Sequence, residues 1–123
     1  MSRAGRSLLV FGVYVLSVGI GLLAAPNLLL GTMGFSATQE PWIRSVGVLL
    51  SLLAFYYIQA GRAGLTEFIR LSVYGRAAVP ALYLAMIALG LVPAAVLLFG
   101  AADLVGAIWT ARALRSEAAR RSP

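Results

Sequence analysis

The sequence predicts an all-α integral membrane protein: a four-helix up-down bundle forming a single transmembrane domain over residues 1–123, with both termini cytoplasmic. Three observations carry that expectation. Hydrophobic residues make up 61% of the chain and charged residues 11%, where a soluble domain is about half apolar and a quarter charged. The apolar residues fall in four long stretches, each close to the roughly 20 residues a helix needs to cross a hydrocarbon core. The arginines sit almost entirely on one side of the resulting four-span arrangement.

So much apolar surface cannot be hidden in a 123-residue soluble globule, because a small fold keeps a large surface for its volume. Lipid as solvent removes the conflict. Backbone amides in lipid must be paired within the structure, so only helices or closed barrels span it. Barrel strands alternate apolar and polar residues. The run over residues 46–55 is instead continuously apolar apart from Gly47 and Ser51, which selects helices.

Span one is expected over residues 7–29, with Arg3 and Arg6 before it and Pro26 and Asn27 near its far end. A cleavable signal has an apolar stretch of about 7–15 residues and then a small-x-small site. Here the run continues to Leu30, and the candidate site at Ala24 and Ala25 leads straight into Pro26, so an uncleaved span is expected. A polar connector follows over residues 31–40. Pro41 suits a first helical turn, where its missing N–H costs little, and span two follows over residues 42–60. Gly61 and Gly64 flank Arg62 and break the pattern. Residues 65–74 mix apolar side chains with Glu67 and Arg70, as a short interfacial helix or as the inner end of span three. Span three is placed at 75–91, a tight turn at Gly90 and Pro93, span four at 93–111, and a basic cytoplasmic tail at 112–123.

Charge placement sets the orientation. Arg3 and Arg6 precede span one, Arg62, Arg70 and Arg76 lie in or beside the connector between spans two and three, and Arg112, Arg115, Arg120 and Arg121 follow span four. Only Arg44 lies on the opposite side. The positive-inside rule then predicts a multi-pass protein of the inner (plasma) membrane with both ends inside. The net charge of +6 is read as topology and headgroup anchoring rather than nucleic-acid binding. The expected partner is membrane lipid, with no nucleic acid. A homo-oligomer or a larger membrane complex is left open.

Lipid tails are as apolar as Leu, so helix association needs close packing and polar contacts. Small residues recur on one face in Gly12 and Gly19, in Gly47 and Ser51, in Ala77, Ala81 and Ala85, and in Ala102, Gly106 and Thr110. These are expected helix contacts, or else the lining of a ligand groove. The short turn at Gly90 predicts spans three and four as an antiparallel hairpin.

The chain has no Cys and no His. That removes thiolate nucleophiles, imidazole bases and the usual zinc, haem and iron–sulfur ligands. No Gly-rich phosphate loop opens a βαβ unit, no Ser has a His base, and Glu40, Glu67 and Glu117 lie outside the spans. No catalytic residue, metal site or cofactor is therefore expected.

Asp103 is the sharpest feature, since an ionisable group inside a bilayer costs about 2.5–3.5 kcal/mol on insertion scales and usually faces the bundle interior and a partner. Two readings stand: a proton or ligand site, or an interhelical pair with Arg76 that fixes helix register. Arg44 is one turn into span two. It is expected to meet Glu40 four residues earlier and to snorkel to headgroups, or to form an anion contact with Asn27. Tyr57, Tyr74 and Trp109 are expected as interfacial aromatics. Tyr56 and Tyr83, placed deeper, are candidates for hydrogen bonds into a cavity near Asp103.

The run from Trp42 through Arg44 to Gly47, the Tyr56–Tyr57 pair, Tyr74–Gly75–Arg76, and Phe99–Gly100 leading to Asp103 and Leu104 together resemble small bacterial four-helix membrane proteins of the DoxX-like kind. The resemblance covers about residues 8–114 and implies a four-helix membrane fold. Some relatives of that kind are linked to quinone-coupled sulfur oxidation, but no redox residue here supports carrying the activity over. Length and span count also resemble small multidrug transporters and fluoride channels. The transporters carry a membrane-embedded acid in their first helix, which span one lacks, and the channels' early Gly-rich, Arg-containing signature is missing.

Three functions are weighed. The first is a non-enzymatic subunit, or a binder of a lipid or quinone-like ligand between helices. The second is a small transporter or channel with Asp103 as coupling site. The third is a membrane enzyme on an isoprenoid-like substrate, disfavoured by the scarcity of acid–base groups.

Overall fold

The computed structural model describes residues 1–121, and these contain helices and turns without strands. The helices are α1 (Arg3–Ala24), α2 (Pro26–Thr32), α3 (Trp42–Ala63), α4 (Thr66–Ala88) and α5 (Leu97–Arg121), the last entered through a 3-10 turn (Ala94–Val96). Four helical segments are long and apolar enough to cross a membrane.

The boundaries follow from local chemistry. Ser2 caps α1, its hydroxyl accepting from the Gly5 N–H at 2.9 Å, the usual relief for an orphan amide of the first turn. Span one does not run to residue 29. It stops at Ala24 because Pro26 bars the residue before it from the helical region, and Ala25 sits at φ −145°, ψ 66°. Pro26 then opens α2, where its fixed φ is pre-organised. Gly64 ends α3 with φ +68°, a left-handed cap that a side chain would strain. Residues 65–74 are not a separate interfacial helix: Leu65 precedes, and residues 66–74 open, one continuous α4, which ends at Ala88 rather than Leu91.

The packing order is α3, α1, α5, α4. The α1–α3 pair is the tightest, built on Gly5 against Gly61, Gly12 against Ala54, and Gly19 against Gly47 and Ser51. A Cβ added at Gly47 would lie 2.8 Å from the Gly19 carbonyl oxygen, so the backbones are in contact. The descending partner numbers make the helices antiparallel. Helices α1 and α5 are also antiparallel, joined by a buried Ser7–Thr110 hydroxyl pair at 2.6 Å and by the Ala4 N–H donating to Glu117 Oε1 at 3.0 Å. The α4–α5 hairpin forms as the short turn requires, with Gly100 against Pro80 and Tyr83. Two of the expected stripes thus make helix contacts, Gly19 on Gly47 and Ser51 with Gly12 on Ala54 and Tyr57, and a third does so through Gly106 and Thr110. The Ala77, Ala81 and Ala85 stripe does not: all three are exposed, because α4 turns that face away from α5.

Although α3 and α4 are joined by a turn of only two non-helical residues, they share little contact along their lengths. The gap between them is the opening that positions the site.

Candidate functional site

A cavity of about 430 Å³ fills that gap. This lies within the roughly 300–1,000 Å³ range of small-molecule sites. All four long helices contribute walls, and α2 and the following connector cover one end through Leu29, Leu30, Met33 and Phe35. That end is apolar, with Leu22, Trp42 and Val46 completing it. The other end is polar. There Tyr14 from α1, Tyr57 from α3, Arg76 and Tyr83 from α4, and Asp103 from α5 converge on one space.

Arg76 is 1% exposed, the largest side chain so deeply buried. Its Nε donates to the Ser72 carbonyl at 3.2 Å and its Nη2 to the Ser72 hydroxyl at 3.1 Å. The guanidinium lies 4.8 Å from the Phe11 ring centroid and 6.0 Å from that of Tyr57, where ring quadrupoles stabilise a cation, more so when it is desolvated. Its Nη1 has no hydrogen-bond partner. Gly106 makes room for this group: a Cβ there would lie 3.1 Å from Nη1 and 2.7 Å from Phe11 Cδ2. Pro80, one turn on from Arg76 in α4, has no N–H to donate to the Arg76 carbonyl.

Asp103 is half-buried on the facing wall. The expected Arg76–Asp103 ion pair does not form. Among the described residues Arg70–Glu67 is the one salt bridge. Arg76 is instead held back on its own helix by Ser72 and by the Phe11 ring, so the two opposite charges border one cavity without touching.

No protein-family model, curated protein or solved structure matches this chain. The site therefore rests on its own geometry.

The other expected residues divide between cavity and surface. Tyr83 lines the cavity, as expected. Tyr56 does not: it is 50% exposed, with its ring 5.7 Å from that of Phe55 on the outer face of α3. Its neighbour Tyr57, expected at the interface, takes the inward place and packs on Phe11 at 5.9 Å and Phe68 at 6.1 Å. Adjacent helical residues lie about 100° apart around the axis, so only one of the pair can face in. Tyr14 was missed. Its signal was the spacing from Phe11, three residues away on the same face of α1.

Arg44 and Asn27 are brought together at a separate small polar pocket of about 230 Å³ beside α2. Arg44 donates to the Leu23 carbonyl, and Asn27 Oδ1 accepts from the Thr38 N–H at 2.8 Å. The first bond ties the start of α3 to the end of α1, and the second ties the connector to α2. Glu40 also borders this pocket, its N–H bonded to the Thr38 hydroxyl at 3.0 Å. These bonds make the pocket a structural tether for the cover of the cavity. No group of three or more metal-ligating side chains occurs among the described residues.

Proposed function

We propose that this chain is a multi-pass protein of the inner (plasma) membrane, with both ends cytoplasmic, that holds an amphiphilic ligand, a lipid or quinone-like molecule, between its helices. The observation that carries the reading is the polar end of the cavity, where Arg76 Nη1 is buried without an acceptor and Asp103 faces the same space without a salt bridge. Leaving a buried charged donor unsatisfied is costly. A ligand headgroup reaching that end would offset the cost once the Arg76 side chain, which is screened from the cavity in this structure, turns towards it, and its tail would lie against Val46, Leu22 and Met33. The splayed α3–α4 side offers a lateral route from lipid. The arginine asymmetry supports the orientation, and kinship with DoxX-like membrane proteins is part of the same proposal.

An accessory-subunit role is the second reading. It is favoured by the exposed Ala77, Ala81 and Ala85 stripe on α4, since small residues let a neighbouring helix approach closely. A transporter or channel using Asp103 would require a polar path through both ends of the cavity, and the apolar walls beside α2 favour binding over passage.

Native mass spectrometry of the full chain purified in detergent tests the first reading. The expected result is a co-purifying small molecule that is lost in Leu50→Trp, which fills the cavity. Bare protein from several mild detergents, with Leu50→Trp raising thermal stability as simple void filling, would overturn it.

A further inference from the structure

We propose that the outer groove between α1 and α5 is a binding site for one anionic phospholipid, with its phosphate held by Arg3, Arg6 and Arg112. This site lies outside the cavity and does not depend on the cavity having a ligand. The groove, about 430 Å³, is bordered by these three arginines together with Trp109 and Ser116. All three arginines are exposed, and no acidic residue borders the groove. Three guanidinium groups gathered in one concavity repel one another unless an anion sits among them. Glu117 lies behind the groove, where its Oε1 accepts from the Ala4 N–H, and does not border the space between the three guanidinium groups.

The groove is rigid, because the Ser7–Thr110 pair and the Glu117 bond lock the two helices directly behind it. The same antiparallel register sets Phe11 against Gly106 and brings Arg6 level with Arg112. It also brings Val13 level with Val105.

The occupant's chemistry follows from what continues from the basic mouth. Val10 and Val13 lie four and seven residues beyond Arg6 on α1, and Trp109 and Val105 lie three and seven before Arg112 on α5. Such spacings share a helix face, and all four are between 45% and 65% exposed. A basic mouth thus opens onto an apolar double rail on the face of a helix pair apolar enough to span a membrane. Free phosphate would use only the mouth. A phospholipid uses both parts: its phosphate meets the arginines, its acyl chains lie on the valines, and the Trp109 ring sits at the boundary that Trp favours. A zwitterionic headgroup would bring its own cation into a site that already holds three, which selects an anionic lipid.

The test uses the full chain in detergent, titrated with dioleoyl phosphatidylglycerol, dioleoyl phosphatidylcholine or inorganic phosphate and read by native mass spectrometry and thermal melting. Each basic side chain near an anionic surface contributes measurably to attraction, so the phosphatidylglycerol adduct should survive about tenfold better than the phosphatidylcholine adduct. Arg3→Gln/Arg6→Gln/Arg112→Gln should abolish that preference. Arg115→Gln/Arg120→Gln/Arg121→Gln, which removes the same charge from the tail, should keep it. In a Trp42→Phe background, phosphatidylglycerol with brominated chains should quench Trp109. Equal retention of the two lipids, equal loss of preference in both triple variants, protection by phosphate alone equal to that by phosphatidylglycerol, or unquenched Trp109 would each overturn the proposal.

Discussion

Gly5 and Gly61 meet backbone to backbone: a methyl group on either α-carbon would overlap the other residue's carbonyl oxygen. This is the closest of the three glycine contacts that hold α1 to α3, and it is made by main chain on both sides. Nothing flexible is available to give way. Gly61→Ala should therefore destabilise the bundle by about 1–3 kcal/mol, the range for overpacking. Gly75→Ala is the control. It lies on α4 with open space around it, and should be neutral or stabilising by up to about 1 kcal/mol from helix propensity. Thermal or SDS-induced unfolding in detergent distinguishes them, and equal midpoints for the two variants would refute the close approach.

Ser7 and Thr110 form a buried side-chain bridge between α1 and α5, at 2.6 Å and with neither residue exposed. A double-mutant cycle of Ser7→Ala and Thr110→Val should return a favourable coupling of about 0.6 kcal/mol, the average for hydrogen bonds between membrane helices. Strictly additive losses would mean that the hydroxyls contribute no mutual stabilisation.

Arg76 and Asp103 face each other across space rather than in contact. Because they border one cavity without an ion pair, Arg76→Met and Asp103→Asn should show a favourable coupling of only about 0.5–1 kcal/mol, the low end for groups that share a cavity. Arg76→Met should be the more harmful, since it removes two hydrogen bonds and the stacking on Phe11. Arg76→Lys should not rescue, because an ammonium lacks the planar fork that serves Ser72 and the aromatic face together. A large favourable coupling between positions 76 and 103 would show a direct pair in solution.

Tyr56 and Tyr57 give a paired test of the α3 face. Tyr57→Leu removes a ring that packs on both Phe11 and Phe68 and should cost about 1–3 kcal/mol. Tyr56→Leu, on the exposed side, should change stability by less than about 0.5 kcal/mol. A larger loss at position 56 than at 57 would mean that the helix is rotated.

The reach of sequence reading is visible in particular residues. Hydropathy located the four long helices, since a continuous apolar run in lipid has one local solution, but it ended the last one at residue 111, where α5 continues as helix to Arg121 through most of the stretch expected as a basic tail. It missed the break at Ala25, although Pro26 was in view, because apolar residues continue beyond the proline and conceal the turn. It began span three at residue 75 and left residues 65–74 open between an interfacial helix and the inner end of that span, since Glu67 and Arg70 read as interfacial; the second alternative holds, because the helix extends past its apolar part. Asp103, Arg76 and Tyr83, which line the cavity, stood out in the sequence because polar groups within apolar runs are costly and conspicuous. Tyr57 did not, because aromatics at membrane ends are common and its rotation is set by α1, and Tyr14 was passed over although its spacing from Phe11 placed both on one face of α1.

By itself the sequence determined the helical class, the number of long apolar segments and the crowding of arginines at one end of the bundle. These follow from composition and from the self-contained hydrogen bonding of a helix. The tertiary structure alone decided which small residues touch, with Gly5 on Gly61 but the alanine stripe of α4 left bare. It also decided that Arg76 turns to Ser72 and Phe11 instead of pairing with Asp103. The reason is that helix rotation and partner choice depend on the summed fit of distant surfaces, and adjacent residues in the chain carry no record of that sum.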